Sequence, residues 1–324
     1  MRAPGFDAAE LEAFLSSFGA GRLRDWRALE APGEERRYVV RAGDTRYVVT
    51  VYDAATPDEV TAAAVLSETL AERGVPCPRP IRGASGSVES LGGRPAVLAP
   101  LLGGRVLSSP GPAHLAALGT ALGRLHLAGE GLPLSEKGAH LSRVLCPLAR
   151  ELARRLRTRD PGCAELLDSE AEFQQDVPEE ELPSGLVHGA LLSRNLLFGK
   201  GPSPRVAFLG FERSGRGPWV FDLALVLADG AWSGPGISGE RARAFLAGYR
   251  DVRGLGGAEF GVLPAYLRRV ALRFLCLQTE ARLSRKEEDR GEGGGGTRAE
   301  GFALKLKLLR AGLRGAAAFA ARAA

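Results

Sequence analysis

Apolar side chains at Leu11, Phe14, Leu15 and Phe18 recur at i, i+3, i+4 and i+7, which predicts an amphipathic helix over residues 7–18. Asp7 is placed to cap it, and Gly19 and Gly21 end it. The period then shortens. Tyr38–Arg41 and Arg46–Tyr52 are rich in β-branched and aromatic residues, and Ala42-Gly43-Asp44-Thr45 between them is turn-like, so this segment reads as a hairpin. Thr56 is placed to N-cap a helix from Pro57 to Arg73, closed by Gly74. Pro76, Pro78 and Pro80 force an extended segment, and a second hairpin turns at Gly92-Gly93 into Arg94–Leu102. Beyond Gly103-Gly104 the period is helical: Leu115, Leu118, Leu122 and Leu125 share one face of a helix over 113–128. Further helical patterns cover 140–157, 161–176, 221–230, 239–251, 259–284 and 299–322, with a charged, glycine-rich loop over 285–296. A strand-rich first third followed by helices predicts an α+β fold of two domains, 1–102 and 103–324.

Composition narrows the class. Of 324 residues, 45% are hydrophobic and 25% charged, enough for a sizeable core without disulfides. The net charge of +5 comes from 43 basic against 38 acidic residues, and the arginines are scattered beside acidic neighbours, as in Glu34-Glu35-Arg36-Arg37. With 6% aromatics and no basic stripe, nucleic acid is not an expected partner. Cys77, Cys146, Cys163 and Cys276 lack metal-ligand spacing and read as reduced, packed thiols. The first residues form no secretory signal and no apolar run is long enough to span a bilayer, so a cytoplasmic protein without membrane contact is expected.

The segment that carries candidate chemistry is Leu186-Val187-His188-Gly189-Ala190-Leu191-Leu192-Ser193-Arg194-Asn195-Leu196-Leu197-Phe198, followed by Arg205–Glu212 and by Phe221-Asp222-Leu223-Ala224. Short apolar runs flank polar loops in a layout that resembles the catalytic and metal loops of the protein-kinase-like phosphotransferases. Phe6–Leu11, Gly74–Pro80, Leu122–Gly129, Phe245–Tyr249 and Ala271–Leu275 extend the likeness, in order, to the bacterial homoserine kinases of the aminoglycoside-phosphotransferase type. The resemblance implies a bilobal kinase-like fold with a small sheet-containing N-terminal lobe and a larger helical C-terminal lobe. It also implies ATP as cofactor and phosphorylation of a small amino-acid hydroxyl.

Two substitutions break the pattern that the resemblance brings. His188 and Asn195 match, but the acceptor-orienting Asp is Ala190 and the metal-binding Asp is Gly210. Alanine cannot orient a hydroxyl, and glycine offers no side-chain oxygen to a hard cation. No side chain is therefore assigned as catalytic and none as a metal ligand. By the same resemblance Asp222 braces the loop, His188 packs it, and Glu212, two residues after Gly210, is the candidate to rescue a metal site. Glu68, Thr50 and Leu98 fall at nucleotide-binding positions of the first lobe, with Thr50 where the wider fold has a lysine. Glu34 and Glu35 stand where a triphosphate would approach. Arg194, Arg213 and Arg216 read as surface guanidiniums, phosphate or carboxylate binding being the alternative, and His126 reads as packing between lobes. Three functions stay open: a homoserine-kinase-like pseudokinase acting by binding a ligand or a protein, an active small-molecule kinase using rearranged residues, and a scaffold. If ATP binds, it does so with little dependence on Mg²⁺.

Overall fold

The computed structural model describes residues 5–29, 35–136, 141–201, 204–233 and 236–284. The helix expected over 299–322, the loop over 285–296 and Glu34 lie outside them. The backbone divides into two units, Met1–Leu107 with Arg194–Glu212, and Ser108–Ser193 with Arg213–Ala324.

In the first unit α1 (Ala8–Ser17) starts at a capping box in which Asp7 accepts from the Glu10 N–H and Glu10 accepts from the Asp7 N–H. Five strands form one antiparallel sheet: β1 (Leu23–Leu29), β2 (Glu35–Ala42), β3 (Thr45–Tyr52), β4 (Val88–Leu91) and β5 (Arg94–Pro100), in the order β1-β2-β3-β5-β4. β1 was not expected, because its Leu-Arg-Asp-Trp-Arg-Ala-Leu carries no strict alternation. Strand alternation then sorts the sheet's two faces. Tyr38, Val40, Val49, Val51, Ala96 and Leu98 point to one side and form a core with Phe6, Leu11, Phe14 and Leu15. Tyr52 and Val97 point to the other, where Val60 and Ala64 of α2 (Pro57–Glu72) cover them. Thr56 caps α2 through a second capping box.

Residues 194–212 follow the helical segment in sequence yet fold with the first unit. Their hairpin, Leu196–Phe198 against Val206–Phe208, bridges to Arg105, whose N–H donates to the Phe198 carbonyl at 3.0 Å, and the Phe208 N–H donates to the Pro76 carbonyl at 2.9 Å. A two-domain division at 102/103 from chain order places this hairpin with the helices. The backbone bonds to Arg105 and Pro76 place it with the first unit.

The second unit holds α3 (Pro112–Ala128), α4 (Ser142–Leu156), α5 (Pro161–Gln175), α6 (Val220–Asp229), α7 (Gly239–Arg250) and α8 (Gly257–Ser284). α3 and α7 pack at their glycines: a Cβ on Gly119 would run into the Phe245 carbonyl, and one on Gly248 into the Ala116 carbonyl. Leu145, Ala149 and Leu152 of α4 join Leu167 of α5 and Leu272 and Cys276 of α8 in a further core. α6 is buried from Val220 to Ala228, so its sequence is apolar all round apart from Asp222. Among the described residues no helix is long and apolar enough to cross a membrane.

Candidate functional site

In the second unit the loop that follows the strand Ser184–Val187 is held from below by α6. Asp222, fully buried on the first turn of α6, accepts from the His188 N–H at 2.7 Å and from the Gly189 N–H at 2.9 Å. His126 of α3 places Nε2 3.2 Å from the same carboxylate and Nδ1 2.7 Å from the Tyr249 hydroxyl. A carboxylate only accepts, so Nε2 carries the proton and Nδ1 accepts from Tyr249. Tyr249 in turn accepts from Arg253, which is paired with Glu259 at 2.9 Å. Burial holds the His126 pKa below its ordinary value, which keeps the ring neutral. Burial alone would raise the Asp222 pKa, but the His126 hydrogen bond and the Gly189 N–H outweigh it and hold the carboxyl below the usual range. All of these partners belong to the second unit, so the hydrogen bonds of His126, which was expected to pack between lobes, are made inside that unit.

Gly189 adopts φ +74, a conformation that favours glycine, and a Cβ there would meet the Arg213 carbonyl. Buried Arg273 donates to the Gly189 carbonyl, and Asp229 accepts from both the N–H (2.8 Å) and the hydroxyl (2.6 Å) of Ser193. Neither contact was foreseen: Asp229 stands in no motif, and Arg273 lies in the Ala271–Leu275 run, which gives no sign of the loop its side chain reaches. The loop is thus fixed at both ends, with a methyl group at Ala190 where a carboxylate would act.

In the first unit a cavity of about 350 Å³ opens on the sheet face opposite α1. Val48, Thr50, Val97 and Ala99 of the sheet, Ala63, Ala64 and Ser67 of α2, and Leu209 and Phe211 line it; Arg37, Tyr52, Arg194 and Glu212 supply most of its polar groups. Of the residues expected to bind nucleotide, Thr50 lines this cavity and Leu98 does not. Leu98 is one residue out of phase, and its side chain joins the core against α1 while its neighbours Val97 and Ala99 face the cavity. Glu68 turns away as well, held by Arg82 at 2.8–3.1 Å, a hydrogen bond that lowers its pKa. Glu35 does not confront the cavity as a bare charge: it is ion-paired with Arg37 at 3.0 Å.

Gly210 has φ +79, and a Cβ built on it would lie 3.2 Å from Glu212 Oε2, 3.3 Å from Asn195 Oδ1 and 3.4 Å from Arg37 Nη2. The structure therefore brings Asn195, Gly210 and Glu212 together, and adds Arg37. Glu212 accepts from the Tyr52 hydroxyl at 2.7 Å; burial pushes its pKa up, and burial and the nearby carboxylate raise that of Tyr52. The sequence held a signal for Arg37. A two-residue turn at Gly43-Asp44 pairs Ala42 with Thr45, and counting back sets Arg37 opposite Thr50, as found.

These residues are a poor fit to Mg²⁺. That ion favours six oxygen ligands near 2.0–2.1 Å, including one or two carboxylates. Here a guanidinium nitrogen shares the space with one carboxylate and one amide oxygen, and among the described residues no group of three or more His, Cys, Asp or Glu side chains is arranged to hold a metal.

Comparison with known proteins places this architecture. Residues 25–255 match the model of the phosphotransferase enzyme family that includes the aminoglycoside phosphotransferases. The chain belongs to that family. A homoserine kinase of Bradyrhizobium sp. strain ORS 278 is 32% identical over 274 residues, 83% of each chain. The homoserine kinase of Methylobacillus flagellatus is 29% identical over 267 residues, 82% of each. Among solved structures, amicoumacin kinase superposes with a TM-score of 0.69 at 16% identity, covering 95% of this chain and 94% of that one. An aminoglycoside phosphotransferase from Alicyclobacillus acidocaldarius gives 0.66 at 15% identity over 99% and 98%. At those identities the structural likeness speaks for the fold alone. The chain is a homoserine-kinase-like phosphotransferase-family protein with a sheet-bearing first unit and a helical second unit.

Proposed function

We propose that this protein is a homoserine-kinase-like pseudokinase: a small-molecule-binding protein that keeps the family's loop architecture without its phosphoryl transfer. The observation that carries this reading is the pairing of a fully braced loop with side chains that cannot react. Asp222 holds His188 and Gly189 in place, while position 190 is Ala and position 210 is Gly. Phosphoryl transfer rests on positioning and on charge neutralisation, so losing the acceptor-orienting carboxylate and the main metal anchor removes both contributions together. The cavity beneath Thr50 and Val97 supports a role in binding.

The relatives favour a second reading. They are named homoserine kinases, and Glu212 Oε2 and Asn195 Oδ1 converge on the place an Asp at 210 would fill, so an ATP-dependent homoserine kinase would draw its metal contact from Glu212. Incubation with ATP, Mg²⁺ and homoserine, followed by phosphorus NMR, separates the two. The expected result is no O-phosphohomoserine. Turnover of ~1 per second or more, the range of working enzymes, that disappears in Glu212→Gln would establish the kinase instead.

A further inference from the structure

We propose that the guanidinium of Arg37 is a resident cation in the first unit's cavity, taking the place of the strand lysine and of the divalent metal, so that the cavity binds a nucleotide without Mg²⁺. This rests on the binding role proposed above and names its ligand class and its recognition residue.

Three observations converge on it. The first is register. Arg37 of β2 is paired with Thr50 of β3, and Thr50 with Val97 of β5, so the three side chains stand in a row on the cavity face of the sheet. Thr50 is too short to carry a charge into the cavity, and its neighbour across the ladder carries one instead. The second is position. Arg37 Nη2 lies 3.4 Å from the point where a Cβ at Gly210 would be, and that point is also 3.3 Å from Asn195 Oδ1. The cation thus reaches the ground between the two loops that hold metal in the pattern the sequence resembles. The third is fixation. The Arg37 side chain is only 11% exposed and is tethered to Glu35, itself 19% exposed. One ion pair occupies one nitrogen of a five-donor fork that is suited to phosphate oxygens.

The same geometry disfavours a divalent ion. Mg²⁺ between Asn195 and Glu212 would sit beside a fixed positive charge and would lack the carboxylate that Gly210 cannot supply. Glu212 already accepts from the Tyr52 hydroxyl at 2.7 Å, which occupies one of its carboxylate oxygens. The apolar walls at Val97, Ala99, Leu209 and Phe211 suit the base of a nucleotide, and the guanidinium suits its phosphates.

The test is calorimetric titration of the full chain with ATP and with adenosine, each in Mg²⁺ and in EDTA. In the native protein the ATP affinity in EDTA should lie within threefold of that in Mg²⁺, and ATP should bind at least tenfold more tightly than adenosine. Arg37→Gln should weaken ATP tenfold or more and leave adenosine unchanged, which also reports that the cavity is folded. Arg37→Lys, which keeps the charge, should retain Mg²⁺-independent binding and guards against a folding defect in the glutamine variant. A tenfold tightening of ATP by Mg²⁺, an unchanged ATP affinity in Arg37→Gln, or no ATP binding at all would overturn the inference. Formation of O-phosphohomoserine would instead overturn the pseudokinase reading, and the metal dependence of the ATP affinity would still decide the part played by Arg37.

Discussion

Replacing Asp222 with Ala removes the single acceptor shared by two backbone N–H groups and a buried imidazole. His188 N–H and Gly189 N–H are left in a site sealed by α6, where the His188 and Asp222 side chains are fully buried. Each buried donor without a partner costs about 1–3 kcal/mol, and His126 Nε2 loses its acceptor as well. Removing one partner of a buried charged network costs about 3–5 kcal/mol in general, and we expect a loss in that range. For a domain of this size each kcal/mol moves Tm by about 2–4 °C, so the variant should melt about 10 °C lower. Asp222→Asn retains one carbonyl oxygen and should fall between. The pH dependence carries a sign. The folded Asp222 pKa lies below its unfolded value, so its contribution is complete above about pH 4 and is lost as pH falls through the folded value. The native protein should therefore lose stability on acidification over that window, and Asp222→Ala should lose less. Urea unfolding followed by circular dichroism measures both effects, and hydrogen exchange at His188 and Gly189 localises them. A stability loss under ~1 kcal/mol, the scale of an ordinary hydrogen bond, would show that the carboxylate is not holding the loop.

Two other perturbations read the remaining structure. Burial raises the Glu212 pKa, so the folded state keeps this proton to higher pH than the unfolded chain does, and stability falls from about pH 4–5 up to the folded pKa before levelling off; Glu212→Gln should flatten that slope in unfolding measured from pH 4 to 8. Gly119→Ala sets a methyl group against the Phe245 carbonyl where α3 meets α7 and should cost about 1–3 kcal/mol of overpacking, read as a lower Tm; an unchanged Tm would mean the two helices part without penalty.

Much of the fold was legible because each element carried its own local signal. Asp7 and Thr56 start helices at the positions where capping boxes form, and Gly43-Asp44 and Gly92-Gly93 turn the two hairpins. β1 was missed because its burial comes from neighbours and not from an alternating pattern of its own. The brace was legible as far as a motif reaches: Asp222 and His188 stand in recognisable runs. Asp229 lies on a helix whose sequence reads only as helix, and Arg273 in a run that carries the resemblance without naming a partner, so their contacts with Ser193 and Gly189 required the tertiary structure. The misplacement of Leu98 has a simpler cause. Linker character locates a strand but not its phase, and a shift of one residue exchanges the two faces of the sheet.

The two departures at 190 and 210 differ in what they would take to undo. Ala190 sits on a loop held by Asp222, Arg273 and Asp229, and none of those contacts needs a carboxylate at 190. Stability and chemistry are separable there, so the presence of Asp222 and His188 is no sign of catalysis. Gly210 is different. Its φ of +79 is strained for residues with a side chain, and a Cβ would enter space already bounded by Glu212, Asn195 and Arg37. The absent aspartate and the present guanidinium therefore belong to one arrangement: the volume that one would fill is bounded by the other. A Cβ at 210 would press on the ends of the Glu212, Asn195 and Arg37 side chains by a few tenths of an ångström, so a side chain at 210 and the present placing of these three groups compete for the same space.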